Sequence, residues 1–176
     1  NLKSQIANLR SDIVAIGSSL GGVHAMNTIL RALPAGYPKS VIIVQHRGAD
    51  TESRLVSILG ERTYLPVQEA EDKQPLLAGQ VYVAPTGYHL LVERGHLCLS
   101  TEPPVNYAQP SIDVLFESVA ASYRERAVGV LLTGASADGA QGLLAIKSAG
   151  GLTIAQDPKT AESAVMPEAA IVIKAV

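Results

Sequence analysis

The chain alternates between short apolar runs and longer segments in which apolar residues recur at helical spacing. Residues 41–44 (VIIV) and 128–132 (VGVLL) are apolar at every position, and such runs are typical of central strands in a parallel sheet with helices on each side. Residues 80–100 instead alternate apolar and polar positions around Gly87 and Gly95, which favours antiparallel pairing. The pattern predicts an α/β fold: a doubly wound, mostly parallel sheet with helices on both faces and an antiparallel hairpin excursion.

The same pattern gives limits for each element. The predicted strands are residues 13–15, 41–45, 67–69, 81–84, 89–93, 97–100, 127–132, 152–155 and 170–173. The predicted helices lie near residues 22–32, 51–62, 111–123, 140–149 and 161–164. Residues 1–10 have only a weak helical pattern. We therefore predict a leader or the remnant of an interdomain linker there, followed by one folded domain over residues 11–176.

Composition excludes several classes of protein. Of the 176 residues, 47% are apolar and 17% are charged, as in an ordinary soluble globular domain. No apolar run approaches the roughly 18 residues that would suggest insertion into a membrane. A net charge of −2 gives no reason to expect a nucleic-acid partner, which usually requires a basic face. Cys98 is the only cysteine, so an internal disulfide is excluded and a cytoplasmic location is expected.

Three polar residues follow the predicted strands directly or within a short loop. Ser19 follows the first strand, His46 follows residues 41–45, and Asp138 follows residues 127–132. In an open parallel sheet the functional crevice lies outside the carboxyl ends of the strands. These three side chains are therefore the first candidates for chemistry.

The turn at residues 17–22 (GSSLGG) has several possible interpretations. A dinucleotide site would need G-x-G-x-x-G and an acidic residue after the second strand, but Ser19 occupies the middle position and the second strand ends in Gln45-His46. A phosphate loop of the Walker type would need a lysine, which the turn lacks. Residues 17–21 do fit G-x-S-x-G, the pattern of a nucleophilic serine on a sharp strand-to-helix turn. A tight connection without chemistry remains the alternative.

A nucleophilic serine also needs a base and an orienting carboxylate. Among the histidines, only His46 ends a buried strand, whereas His24 falls on a helix and the other two flank the hairpin. Asp138 is the best placed carboxylate, although an aspartate before a helix often only caps it. Asparagine would replace a cap without loss, but it would favour the wrong histidine tautomer in a triad. No metal or cofactor is predicted, because the histidines are scattered and no Cys/His pair has ligand spacing.

These residues resemble a known family, the catalytic domains of the bacterial chemotaxis methylesterases (CheB type, protein-glutamate methylesterases). The matching segments run in order over nearly the whole chain. They are residues 13–22 (IVAIGSSLGG), 44–46 (VQH), 69–72 (EAED), 82–85 (YVAP), 103–106 (PPVN), 110–116 (PSIDVLF), 128–134 (VGVLLTG), 138–140 (DGA) and 153–157 (TIAQD). The resemblance implies that residues 11–176 are a methylesterase catalytic domain and that Ser19, His46 and Asp138 are its catalytic triad.

The resemblance also implies a function and partners. Members of the family demethylate glutamate methyl esters on the cytoplasmic helices of chemoreceptors, and many also deamidate receptor glutamines. They usually carry a receiver domain, which we expect in the full-length protein. The family pattern is altered at Leu20, at residues 134–136 (GAS) and at residues 107–109 (YAQ), which affects the expected choice of substrate. The alternative is a non-catalytic binding module of a sensory array that keeps the fold.

Overall fold

The computed structural model describes residues 12–48 and 54–176. Its main sheet has six parallel strands in the order β3-β4-β2-β1-β7-β8, and β5 and β6 form a separate antiparallel pair. The strands are β1 (Ile13–Ser18), β2 (Ser40–Gln45), β3 (Val67–Glu69), β4 (Val81–Val83), β5 (His89–Glu93), β6 (His96–Ser100), β7 (Ala127–Leu131) and β8 (Leu152–Ala155). The predicted fold class is confirmed.

Helices cover the main sheet on both faces. They are α1 (Gly22–Leu30), α2 (Arg54–Gly60), α3 (Ile112–Tyr123), α4 (Ala140–Ser148) and α5 (Val165–Val172). Alternate residues of β1 enter different cores: Val14 and Ile16 pack with residues of α1 and α2, whereas Ile13 and Ala15 pack with residues of α3 and α4. Burial of successive side chains on opposite faces explains why the central strands are apolar at every position.

The order of the strands brings the predicted site residues to one edge of the sheet. β1 pairs with β2 on one side and with β7 on the other, so the chain leaves β1 in one direction and later returns to its opposite side. Ser19, His46 and Asp138 all follow the carboxyl ends of these three adjacent strands. This is the switch point at which open α/β sheets form their binding crevice.

Two predicted elements near the carboxyl terminus are wrong. Residues 170–173, predicted as a strand, belong mostly to helix α5, and residues 161–164, predicted as a helix, form an irregular bend after a short 3₁₀ helix (Pro158–Thr160). Met166 and Ala170 of α5 are fully buried in the core that α4 also lines. A short apolar run that is buried in a helix cannot be distinguished from a buried strand by periodicity.

Two further predictions extend beyond the described residues. The proposed leader or linker at residues 1–10 lies outside them, as do residues 51–53 at the start of the second predicted helix. No helix in residues 12–48 and 54–176 combines the length and the apolar character needed to cross a membrane.

Candidate active site

The serine turn (residues 17–22) connects β1 to α1 through backbone positions that require glycine. Gly21 has a φ of 78°, in the left-handed region that glycine adopts without strain. Gly17 packs directly against the side chain of Ile112, where a Cβ would collide. The turn leaves Ser19 half-buried and Leu20 exposed. The G-x-S-x-G spacing therefore corresponds to a tight turn whose serine reaches the surface.

Gln45, at the end of β2, holds the serine turn beside His46. Its amide nitrogen donates to the carbonyl oxygens of Ser19 and His46, both at 2.8 Å, and its amide oxygen accepts the Ser18 hydroxyl at 2.7 Å. The Ser19 N–H also donates to the Thr133 carbonyl at 2.9 Å. Sequence reasoning did not identify Gln45 as a site residue. The available signal was a polar residue at the end of an otherwise apolar strand.

His46 contacts Asp138 directly. The distance from His46 Nε2 to Asp138 Oδ2 is 2.8 Å, and the Asp138 side chain is fully buried. Burial raises the pKa of Asp138, but hydrogen bonds from His46 and from the backbone of Ile112 and Asp113 outweigh burial and hold that pKa below its ordinary value. Because an ionised carboxylate only accepts hydrogen bonds, Nε2 carries the hydrogen, and Nδ1 of the neutral ring is an acceptor.

Asp138 does not cap the helix that follows it. Helix α4 begins at Ala140, and its cap residue is Gly139 with a φ of 95° and no side-chain cap. Asp138 instead lies at the amino terminus of α3, where it accepts the Ile112 N–H at 2.7 Å and the Asp113 N–H at 3.1 Å. These donors stabilise the anion, since unpaired N–H groups and the helix dipole favour negative charge there.

Side chains from two other segments complete the hydrogen bonds of Asp138. The Ser111 hydroxyl donates to Oδ1 at 2.8 Å, and Asn106 Nδ2 approaches the same oxygen at 3.3 Å. Ser111 in turn is held by His89, whose Nε2 donates to the Pro103 carbonyl and whose Nδ1 accepts the Ser111 N–H at 3.2 Å. His89, considered only as a residue flanking the hairpin, is therefore a buried support of the aspartate.

Asp113 is a second buried carboxyl beside Asp138. It is only 5% exposed, and it accepts Asn106 Nδ2 at 2.8 Å and the Gly142 N–H at 2.7 Å. Burial and the nearby carboxylates of Asp138 and Glu117 together raise the pKa of Asp113 to about 6, against the lowering effect of its backbone hydrogen bonds. Asn106 thus bridges two carboxyl groups that repel each other. The sequence indicated Asp138 as the best placed carboxylate, and Asp138, not Asp113, contacts His46.

Ser19 and His46 share one open cleft of about 720 Å³. The other lining residues are Leu20, Gly21, Gly22, Val23, His24, Asn27, Gln45 and Glu162. Within the described residues the Ser19 hydroxyl makes no hydrogen bond, and none joins it to His46. The structure therefore brings His46 and Asp138 into contact and places Ser19 in the same cleft. Catalytic hydrogen bonds are often long in the absence of substrate.

Comparison with known proteins places this arrangement in a family. Residues 14–176 match the family described as CheB methylesterase. A Leptospira interrogans protein, provisionally named protein-glutamate methylesterase/protein-glutamine glutaminase, is 47% identical over 161 residues, which cover 91% of this chain and 83% of that protein. The enzyme of that name from Anaeromyxobacter dehalogenans, numbered 2, is 44% identical over 95% of this chain and 49% of its own length.

A solved structure shows the same fold. The catalytic domain of Thermotoga maritima CheB methylesterase matches with a TM-score of 0.90 and 32% sequence identity, over 94% of this chain and 90% of that one. The resemblance inferred from the sequence segments is thereby confirmed. The chain belongs to the CheB methylesterase family.

Proposed function

We propose that this domain is a serine hydrolase that demethylates glutamate methyl esters on the cytoplasmic helices of chemoreceptors, with Ser19, His46 and Asp138 as its triad. The observation that carries the proposal is the 2.8 Å contact between His46 Nε2 and Asp138 Oδ2 beside the cleft that contains Ser19. Membership of the CheB methylesterase family supports it. The chain order Ser-His-Asp is one of several in which triads are assembled.

The first half of the reaction forms an acyl-enzyme. Asp138 accepts the hydrogen on Nε2 of His46, which leaves the Nδ1 lone pair to take the Ser19 proton while Oγ attacks the ester carbonyl carbon. The buried anion of Asp138 stabilises the imidazolium that forms. The bond between the carbonyl carbon and the methoxy oxygen then breaks, and the imidazolium proton leaves with methanol.

The second half releases the product. A water molecule attacks the acyl carbon and gives one proton to His46, which returns it to the departing Ser19 oxygen. The products are a glutamate side chain and the free serine. A glutamine side chain would follow the same path with ammonia as the leaving group, and the names of the relatives include protein-glutamine glutaminase. Both reactions require the same stabilisation of a tetrahedral oxyanion.

Backbone groups at the start of α1 provide candidate donors for that oxyanion. In the described part of the chain, the N–H groups of Leu20 and Gly21 have no hydrogen-bond partner, whereas the Ser19 N–H is already bonded to Thr133. Leu20 and Gly21 immediately precede α1, so their N–H groups and the positive end of the helix dipole lie next to the serine. Donors of this type can contribute about 3 kcal/mol to transition-state stabilisation.

The surroundings of the cleft suit a protein substrate. Leu20 is 52% exposed beside Ser19, and Tyr107 is fully exposed next to Asn106, the residue that bridges Asp138 and Asp113. Both lie at positions where the chain departs from the family pattern. We propose that these apolar side chains contact the receptor helix in the cytoplasm, and that a receiver domain accompanies this domain in the full-length protein.

Labelling with a serine-directed fluorophosphonate tests the proposal. We expect one adduct, on Ser19, and release of methanol when a methylated receptor fragment is added. Ser19→Ala should lose both signals, while Ser18→Ala should keep the label because Ser18 is buried and bonded to Gln45. A domain that binds the receptor fragment but neither labels nor releases methanol would be the non-catalytic binding module.

A further inference from the structure

The β5–β6 hairpin places three metal-binding side chains on one face. In its antiparallel register Glu93 pairs with His96, and Leu91 pairs with Cys98. Paired residues share a face of a sheet, as do residues two apart on one strand, so Glu93, His96 and Cys98 project to the same side. A carboxylate oxygen, an imidazole nitrogen and the thiol sulfur of these residues all lie within 4.8 Å of one another.

The backbone that carries these side chains is fixed on its other face. Leu90, Val92 and Leu97 of the hairpin are at most 1% exposed and belong to the core that α3 also lines. The Leu97 N–H also donates to the Gln74 carbonyl at 2.8 Å, so a neighbouring segment braces β6. Packing on the opposite face therefore fixes the backbone that carries the three ligand residues.

The charges around this cluster favour a cation. His96 Nε2 already lies 3.1 Å from Glu93 Oε2. Asp72 lies beside β6, where its carboxylate accepts the Leu99 N–H at 3.0 Å. A divalent cation would offset the negative charge of Glu93 and Asp72 and stabilise a thiolate at Cys98.

We propose that Glu93, His96 and Cys98 bind a divalent transition-metal ion of the zinc type. Zinc accepts thiolate, imidazole and carboxylate ligands in a tetrahedron, in which neighbouring ligand atoms are roughly 3.3 to 3.6 Å apart. Without a metal the three ligand atoms already lie within 4.8 Å of one another, and a bound ion would draw them closer. Three protein ligands leave a fourth position for water or an external ligand. A thiolate and an imidazole select against Mg²⁺ and Ca²⁺, which prefer oxygen ligands.

The proposed metal site is separate from the proposed catalytic cleft. Glu93 and His96 flank the two-residue turn at the tip of the hairpin, and none of the three ligands lines the cleft. The spacing of histidines and the cysteine along the chain did not indicate a metal site. The register of the hairpin brings the ligands together, because it places the Glu93 carboxylate directly opposite His96.

Metal binding by the tag-free protein tests the proposal. Competition with a chromophoric chelator should show one Zn²⁺ bound per chain, and Cys98→Ser, His96→Gln and Glu93→Gln should each weaken binding at least ~10-fold. His24→Gln replaces an exposed histidine elsewhere and should leave binding unchanged. Co²⁺ in place of zinc should give thiolate-to-metal charge-transfer absorption that Cys98→Ser abolishes. Far-ultraviolet circular dichroism checks that each variant is folded.

Several outcomes would overturn the proposal. The first is that the unmodified chain binds no Zn²⁺. The second is that Cys98→Ser and His96→Gln bind Zn²⁺ as tightly as the unmodified chain does. The third is that the chain binds Mg²⁺ as tightly as Zn²⁺. Loss of the bound zinc in His46→Gln but not in Cys98→Ser would place the metal in the catalytic cleft instead. None of these results depends on hydrolase activity, so the proposed function and the metal site can fail separately.

Discussion

The two sides of the proposed catalytic cleft are built in different ways. The serine turn forms from six consecutive residues, three of them glycines, and leads directly into helix α1. The aspartate network (Asp138 with Asn106, Ser111 and Asp113) forms from three separate segments that meet at the amino terminus of α3. One side is local and reaches the surface, whereas the other is long-range and buried.

The two sides of the cleft should contribute differently to activity and to the stability of the fold. Ser19 has a hydroxyl without a partner among the described residues, so the fold does not depend on it. Asp138 accepts hydrogen bonds on both oxygens and is fully buried, so the fold and the chemistry depend on it together. A buried polar group that loses its partners costs about 1 to 3 kcal/mol. Substitutions on the two sides should therefore separate activity from the free energy of unfolding.

The largest effect is expected for Ser19→Ala. Loss of a triad nucleophile lowers turnover by up to ~10⁶-fold, while a substitution at a half-exposed position without hydrogen bonds changes the free energy of unfolding by at most about 0.5 kcal/mol. Methanol release from a methylated receptor fragment and urea unfolding measure the two quantities on the same preparation. A strongly destabilised Ser19→Ala would contradict the view that the serine turn is independent of the core.

Asp138→Asn should lose both activity and stability. With its NH₂ group toward His46, an amide at this position donates to Nε2 and fixes the hydrogen on Nδ1, the wrong tautomer, which in a comparable triad costs on the order of 10⁴-fold. Whichever way the amide points, its NH₂ group also faces a backbone N–H, of Ile112 or of Asp113. We expect turnover to fall at least ~10²-fold and the free energy of unfolding to fall by about 1 to 3 kcal/mol.

Asp157→Asn is a matched control for that experiment. Asp157 caps the 3₁₀ helix through a hydrogen bond from the Lys159 N–H, and asparagine serves as well as aspartate at such a position. Its unfolding curve should therefore coincide with that of the unmodified chain. If Asp138→Asn behaved like the control in both assays, Asp138 would be a dispensable acceptor and the site a Ser19–His46 dyad.

The pH dependence of the free energy of unfolding should show the raised pKa of Asp113. The pKa of Asp113 in the folded chain is about 6, above its ordinary value of 3.8, so the folded state retains a proton that the unfolded state has released. The stabilisation from Asp113 is present below about pH 4 and is lost as the pH rises to about 6, a change of about 3 kcal/mol. Asp138, with its lowered pKa, acts in the opposite direction at lower pH.

Urea unfolding measures the contribution of Asp113 to the free energy of unfolding. Measurements at pH 4, 5, 6 and 7, about one unit apart, span the range set by the shift in its pKa. The free energy of unfolding of the unmodified chain minus that of Asp113→Asn should decline across this range. Glu102→Gln, which removes an exposed carboxylate, should give a flat difference. A flat difference for Asp113→Asn as well would show that its buried carboxyl titrates as it does in the unfolded chain.

The features that could be predicted from the sequence are those that depend on residues close together in the chain. The strand ends, the glycines of the serine turn and the positions of Ser19 and His46 follow from local pattern and from the rule that parallel strands share an edge. The roles of Gln45, His89 and Asn106 were not predicted, because each depends on a partner from a distant segment. The strand predicted at residues 170–173 failed for a related reason: packing against α4, not periodicity, decides that segment.

The smallest effect is expected for Ser18→Ala, next to the proposed nucleophile. The Ser18 hydroxyl is fully buried and donates to Gln45 Oε1 at 2.7 Å, so alanine leaves that amide oxygen without its donor, at a cost of about 1 to 2 kcal/mol. Gln45 still donates to the carbonyl oxygens of Ser19 and His46, and turnover should therefore fall by less than ~10-fold. Ser18→Ala and Ser19→Ala thus have reversed effects on stability and activity. If Ser18→Ala were instead the inactive variant, the nucleophile would be the buried serine, and the separation between a local reactive turn and a long-range supporting network would not hold.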